Sequence, residues 1–70
     1  MTDSVYKFIE MVGTSPNSWE EAARNAVERA GKSLQDLRVA EVKEMDMKLE
    51  NDKVVLFRTV VRLSFKYKGE

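Results

Sequence analysis

Two long stretches of alternating polar and apolar residues, Arg38–Leu49 and Val54–Lys66, predict two long β-strands. In the second stretch every second residue is apolar except for one threonine: Val55, Phe57, Thr59, Val61, Leu63, Phe65 and Tyr67. This spacing places an apolar face on one side of a sheet, because successive side chains of a strand point to opposite sides. Such a strand spans about 40 Å, whereas a compact chain of this size has a radius of gyration of about 11 Å. We therefore expect the hairpin to overhang or wrap its own subunit, and the overhanging part to need another subunit.

The rest of the chain predicts one strand and one helix ahead of this hairpin. Val5–Val12 is predicted as a first strand that ends at Gly13, and Thr14–Asn17 forms a tight polar link. Asn51–Asp52 is the predicted turn between the two long strands. The element order is therefore strand, helix, strand, strand. We predict an α+β fold: one domain, residues 1–70, with a three-stranded antiparallel sheet curled around one helix.

The predicted helix has a clear beginning and end. Ser18 with Glu21 three residues later fits a capping box, and Gly31 is a natural stop. Between them one apolar stripe recurs at helical spacing: Trp19, Ala22, Ala23, Ala26, Val27 and Ala30. Four alanines on this stripe predict a close approach of the helix to the sheet.

The second long strand contains an irregularity. Its apolar residues fall into two sets of opposite parity: Ala40 and Val42, then Met45, Met47 and Leu49. Either a bulge near Lys43–Glu44 re-aims the chain, or the strand changes the surface on which it packs. We favour the second interpretation, in which the far half leaves its own helix for a neighbouring subunit.

The start of the third strand supports contacts between subunits. Val54–Phe57 is apolar on both faces, as expected where the tips of hairpins are buried between copies. The predicted oligomer contacts are Val54, Leu56 and Phe57.

Composition narrows the possible functions. The core of a 70-residue chain contributes little stability, and the chain has no cysteine for a disulfide and no histidine for a zinc site or imidazole catalysis. The charges of twelve basic and twelve acidic residues cancel. The chain therefore has no net electrostatic field that would attract nucleic acid or an anionic membrane. There is no glycine-rich phosphate loop. We expect a cytoplasmic self-assembling protein that is not an enzyme.

Several segments together resemble the dodecin family. They are VYKFIEMVGTSP (Val5–Pro16), the capped alanine-rich helix, AEV (Ala40–Val42) and RLSFKY (Arg62–Tyr67). The resemblance covers nearly the whole chain and implies a hollow homododecamer of β-α-β-β subunits. It also implies binding of a flavin such as FMN or riboflavin, with two flavin rings stacked between tryptophans at each two-fold axis. The implied role is to store or quench the flavin.

The sequence departs from that pattern at the flavin site. Val39 stands where the family has the stacking tryptophan, and Arg58 where a glutamine contacts the flavin ring. Asp46 replaces a basic residue that some members use for the phosphate, whereas Lys66 retains a basic residue at another phosphate position. Valine offers no aromatic face, so we expect weak flavin binding. The chain is more similar to a second dodecin branch, which has SW at the helix start and RVAEV or a similar segment in the strand. One such branch is associated with calcium rather than flavin.

Calcium binds six to eight oxygen ligands, and five carboxylates of the hairpin are candidates: Glu41, Glu44, Asp46, Glu50 and Asp52. No segment has an EF-hand pattern, so such a site would need several subunits. The alternative interpretation is that these carboxylates keep the strand edges solvated. Taking both ligand types together, the candidate binding residues are Val39, Glu41, Met45, Asp46, Arg58 and Lys66.

Three other features have two interpretations each. Trp19 could stack on a flavin, but its place on the apolar stripe favours an anchor in the core or between subunits. Met45 and Met47 could line a ligand pocket, although methionine more often fills a core. The cations that share one face of the last strand could bind a phosphate, but we favour a solvent face balanced by carboxylates of the second strand; they are Arg58, Arg62 and Lys66.

Overall fold

The computed structural model describes residues 5–66 and contains the predicted element order. The elements are β1 (Tyr6–Ser15), α1 (Trp19–Gly31), β2 (Leu37–Glu50) and β3 (Lys53–Lys66). The three strands form one antiparallel sheet in the order β1-β3-β2. The predicted β-α-β-β fold is confirmed, and the two long strands begin or end within one residue of their predicted bounds. Tyr67, the last residue of the predicted alternation, lies outside the described residues.

The described chain is elongated. Its principal extents are 56 × 20 × 16 Å and its Cα radius of gyration is 14.6 Å, against about 11 Å for a compact chain of this length. All of β2 is exposed except Leu37 and Asp46, which are half-buried. The β2–β3 hairpin therefore extends beyond the rest of the chain, as the strand lengths predict.

The core lies between α1 and the β1–β3 half of the sheet. Ala26 and Ala30 pack against Val61 and Leu63, all nearly inaccessible to solvent. Thr59, the one polar residue on this apolar face, is also buried, and its hydroxyl donates a 2.9 Å hydrogen bond to the carbonyl oxygen of Trp19. The side of the sheet that contacts α1 is called the helix face below, and the other side the open face.

The helix is capped differently from the predicted capping box. Ser18 accepts a hydrogen bond from the backbone N–H of Glu21 at 3.0 Å, which confirms the cap. The carboxylate of Glu21 does not return to Ser18, since it accepts hydrogen bonds from the Ser15 hydroxyl and the Asn17 amide. These bonds lower the pKa of Glu21, that from Ser15 most strongly. The helix ends at Gly31 as predicted, and within residues 5–66 no helix is long and apolar enough to cross a membrane.

The first strand does not end at Gly13, so the predicted end was wrong. β1 continues in register with β3 through Gly13↔Thr59 to Ser15↔Phe57. The reason is the helix above: a Cβ on Gly13 would lie 1.9 Å from the carbonyl oxygen of Ala22. Gly13 thus permits close approach of the helix to the sheet rather than a turn.

The irregularity in β2 is a bulge, so the expected change in the side on which the strand packs was wrong. Contact of the exposed far half with a neighbouring subunit stays a prediction. The register shifts between Val42 and Glu44, so that Val42 pairs with Val61 but Met45 pairs with Thr59. Lys43 is the extra residue. Since cross-strand partners share a side of the sheet, both parity sets of apolar residues lie on the helix face.

The hairpin turn confirms Asn51–Asp52. Both residues have positive φ, 52° and 64°. Two such residues in a two-residue connection fit a type I′ turn, whose twist matches that of the flanking strands.

Candidate functional site

The open face of the sheet carries most of the predicted ligand residues. From the hairpin toward the chain ends, the register places four cross-strand rows on it: Thr14, Arg58 and Asp46; Val12, Val60 and Glu44; Glu10, Arg62 and Glu41; and Phe8, Ser64 and Val39. Tyr6 and Lys66 form a pair at the end of this series. The first three rows therefore carry charged side chains around the apolar pair Val12 and Val60, whereas the aromatic rings of Phe8 and Tyr6 lie toward the chain ends beside Lys66.

Arg58 and Asp46 form a two-pronged ion pair. The Nε and a terminal nitrogen of Arg58 donate to the two carboxylate oxygens of Asp46, at 2.7 and 3.1 Å. This hydrogen bonding lowers the pKa of Asp46 and raises that of Arg58. The sequence predicted that β2 carboxylates balance this cation, and here the prediction is confirmed.

Arg62 is held instead by β1. Its guanidinium donates to Glu10 at 3.2 and 3.3 Å and lies 5.2 Å from the ring centroid of Phe8. The balancing carboxylate comes from β1, not from β2 as predicted. Glu41, on β2, pairs with Arg62 in the register and shares the open face with it, but the two side chains form no ion pair.

The bulge aligns an acidic row along β2. Glu41, Glu44 and Asp46 pair with Arg62, Val60 and Arg58 and therefore share the open face. Among residues 5–66 neither Glu41 nor Glu44 has an ion-pair partner.

The other two predicted carboxylates lie away from this row. Glu50 is beside Lys48, with a 3.8 Å separation between charged atoms, and Asp52 is in the turn. Within the described residues no three acidic side chains converge as a metal site would require. Residues 5–66 thus supply an acidic row but no complete set of metal ligands.

A shallow apolar cleft surrounds the position predicted for the flavin-stacking residue. It has a volume of about 360 Å³ and is lined by Tyr6, Phe8, Arg38, Val39 and Ser64. Val39 is 61% exposed and Phe8 59% exposed, while the small Ser64 lies between their strands. Such a cleft can take a flat apolar group, with an arginine at its border.

Met45 and Trp19 lie on the helix face, apart from the other candidates. The indole N–H of Trp19 donates to the carbonyl oxygen of Asp46 at 2.9 Å, and its ring meets that of Phe57 edge-on at 5.0 Å. Trp19 is thus an anchor between the helix and the hairpin. Met45 is exposed beside it and faces away from the charged rows.

Sequence reasoning did not find Tyr6, Phe8 and Glu10 as parts of this face. They share one parity in β1, which could have placed them on one side of a strand. Their position beside Val39 and Arg62 depends on the order β1-β3-β2. That order brings residues more than 50 positions apart into contact.

The comparisons with known proteins agree with this architecture. The family model described as dodecin matches residues 5–68. The chain is 49% identical over 63 residues to calcium dodecin of Mycobacterium tuberculosis, covering 90% of this chain and 89% of the relative.

Solved structures give the same result. Dodecin from Streptomyces coelicolor superposes over the full length of both chains with a TM-score of 0.91 and 33% identity. The structure of the Mycobacterium tuberculosis protein, described as a calcium-chelating antigen with a novel calcium-binding site, superposes with a TM-score of 0.83 and 48% identity over 93% of each chain. With this fold and a family match over nearly its whole length, the chain belongs to the dodecin family.

Proposed function

We propose that this chain is the subunit of a twelve-subunit dodecin shell that binds calcium and does not hold flavin between stacked tryptophans. The role is binding rather than catalysis. The observation that carries the calcium assignment is the acidic row of β2, in which Glu41 and Glu44 are exposed and free of ion pairs among the described residues. The 49% identity to a protein named calcium dodecin supports it.

The chemistry of calcium explains why assembly and binding belong together. Calcium needs six to eight oxygen ligands at about 2.3–2.6 Å, and no three carboxylates converge within residues 5–66. Glu41 and Glu44 lie on β2, an edge strand of the sheet. A second subunit beside that edge would complete the ligand set.

The flavin-stacking arrangement fits these residues poorly. Val39 has no aromatic face, and Arg58, at the position of the ring-contacting glutamine, has its guanidinium engaged by Asp46 at 2.7 and 3.1 Å. Asp46 itself is an anion where a phosphate-binding cation is expected. The ion pair therefore removes two flavin contacts at once.

Thermal melts of the assembled protein test the calcium proposal. Calcium should raise the midpoint relative to excess chelator, because a ligand that binds only the folded state stabilises it by mass action. The Glu41→Gln/Glu44→Gln variant should lose this shift, whereas Glu28→Gln, a carboxylate on the exposed surface of α1, should keep it. An unchanged midpoint in the natural protein, with magnesium as the comparison ion, would contradict calcium binding.

A second candidate function is binding of a flavin in a different manner. The aromatic rings of Tyr6 and Phe8 line the cleft next to Val39 and supply faces that valine lacks. Titration of FMN and riboflavin fluorescence decides between the two. We expect weak quenching by the natural protein and tighter binding by Val39→Trp; tight binding by the unaltered protein would favour the second candidate.

A further inference from the structure

We infer that the groove between the free edge of β1 and α1 binds an acidic, extended peptide segment of another protein. This surface, called the β1 groove, has a volume of about 510 Å³ and runs along residues 11–14 of β1 and residues 25–32 of the helix and its C-cap. Its described lining residues all differ from those of the cleft beside Val39, and it lies at the sheet edge opposite β2. It is therefore separate from the positions considered above for calcium and flavin.

The first wall of the β1 groove is an unpaired strand edge. In the order β1-β3-β2, β1 pairs with β3 on one side, and within residues 5–66 no strand lies on its other side. Alternate residues of an antiparallel strand direct their N–H and C=O groups away from the partner strand. Such an edge is a template for a further strand, and an extended peptide that adds there gains main-chain hydrogen bonds.

Asn25 indicates which residues of β1 present these groups. Its side-chain amide donates a 3.1 Å hydrogen bond to the carbonyl oxygen of Thr14. Since α1 contacts β1 more extensively than either other strand, it flanks the free edge, and the Thr14 carbonyl is directed toward that edge. Alternation then directs the N–H and C=O of Val12 outward as well. Asn25 closes one end of the β1 groove, and Val12 offers the first main-chain contact to a peptide.

Small residues at the base of the β1 groove leave room for a peptide main chain. Gly13 and Ala26 line it and are buried. A Cβ on Gly13 would lie only 3.0 Å from the Cβ of Ala26, so strand and helix meet closely at the base and the space lies outside that contact. The stretch of β1 along the groove spans about 14 Å, which accommodates an extended peptide of similar length.

The charges of the β1 groove favour an acidic peptide. Arg29 and Lys32 line it one and two helical turns beyond Asn25, and neither has an ion-pair partner within residues 5–66. Glu28 is the single acidic side chain among the described lining residues. The groove thus carries a surplus of positive charge in a chain whose net charge is zero. Carboxylates of the peptide complement this surplus and give the site its specificity.

Binding of short fluorescent peptides to the assembled protein tests the chemistry of the partner. A peptide of alternating valine and glutamate should raise the anisotropy saturably, whereas the same peptide with lysine in place of glutamate should not. The Arg29→Gln/Lys32→Gln variant should bind about fivefold more weakly. The matched control is Arg24→Gln/Lys48→Gln, which removes two exposed cations outside the groove and should bind normally. Equal weakening in both variants, or binding of the lysine peptide, would overturn the inference.

Addition of a strand is tested by the main chain of β1. Val12→Pro removes the outward N–H, and proline is tolerated on an edge strand at such a position. This variant should lose peptide binding, whereas Val12→Ala keeps the N–H and should bind normally. Unchanged binding by a folded Val12→Pro protein would overturn the assignment to the free edge.

Photocrosslinking locates the peptide on the natural protein and decides the question even if Val12→Pro does not fold. A valine–glutamate peptide that carries a benzophenone group is irradiated with the assembled protein, and the labelled residues are identified by mass spectrometry. We expect label within residues 11–14 and 25–32, reduced by an excess of the unlabelled peptide. Label confined to other parts of the chain, or no label that the unlabelled peptide reduces, would overturn the inference.

Discussion

The indole N–H of Trp19 donates a 2.9 Å hydrogen bond to the backbone carbonyl oxygen of Asp46. The side chain of Asp46 meanwhile holds Arg58 on the opposite side of the sheet. A single residue of β2 thus connects the start of the helix to the charged rows of the open face. The contact with the helix and the ion pair of the open face therefore both depend on the position of Asp46.

Replacing Trp19 with phenylalanine should lower the free energy of unfolding by about 1 kcal/mol, because the carbonyl of Asp46 loses its partner while an aromatic ring remains beside Phe57. A decrease in melting temperature of about 5 °C would correspond to this loss. Tyr6→Phe removes a polar atom from an exposed aromatic residue and should leave the melting temperature unchanged. Equal melting temperatures for Trp19→Phe and the natural protein would show that the bond contributes nothing.

The dependence of stability on pH should report the Asp46–Arg58 pair. The pKa of Asp46 is lowered from its ordinary 3.8 by the hydrogen bond from Arg58. A lowered folded-state pKa contributes stability that is present above the unfolded value and is lost as the pH falls through the folded one. Melting temperatures should therefore decrease below about pH 4, and the decrease should be smaller in Asp46→Asn. The pKa of Glu21 is lowered in the same direction, so Glu21→Gln is a second variant expected to flatten the acid limb.

Gly13→Ala should be strongly destabilising, by about 3 kcal/mol, because the new Cβ would lie 1.9 Å from the carbonyl oxygen of Ala22 and backbone must move. Gly31→Ala is the matched control, since the nearest atom to its Cβ is a side-chain carbon 3.9 Å away. This control should be neutral or slightly stabilising. Chemical denaturation of both variants measures the difference, and similar midpoints would contradict the close approach at Gly13.

Asp52→Gly should stabilise the hairpin by about 0.5 kcal/mol, because Asp52 has a φ of 64° and glycine adopts this conformation without steric cost. Lys53→Gly changes the next residue, which lies in β3, and should destabilise by a similar amount. Opposite shifts of the two melting temperatures would verify the turn. A lower melting temperature for Asp52→Gly would mean that the aspartate side chain matters more than its backbone.

Local patterns were sufficient for much of this fold. The capping serine, the alanine stripe and the turn at Asn51–Asp52 each depend on neighbours within a few residues, and all three were predicted. The continuation of β1 past Gly13 was not predicted, because the glycine is required by the close approach of Ala22 in the helix and not by a turn in the chain. The change of parity in β2 was visible, but alternation alone does not distinguish a bulge from a change of packing surface.

The candidate site was predictable within a strand and unpredictable across strands. Alternation placed Arg58, Arg62 and Lys66 on one face, and the register agrees. The partner of Arg62 required knowing that β3 lies between β1 and β2. The same knowledge is needed to bring Tyr6 and Phe8 next to Val39.

The extra residue at Lys43 affects the alignment of β2 with the sequences of related proteins. An alignment that places a gap there assigns every later residue of β2 to the wrong side of the sheet, and over residues 44–47 it exchanges carboxylates for methionines. Transfer of binding residues from one dodecin to another across this position therefore requires that both strands have the same bulge. The length of β2 between Val42 and Glu44 carries as much functional information as the identity of the residues that follow.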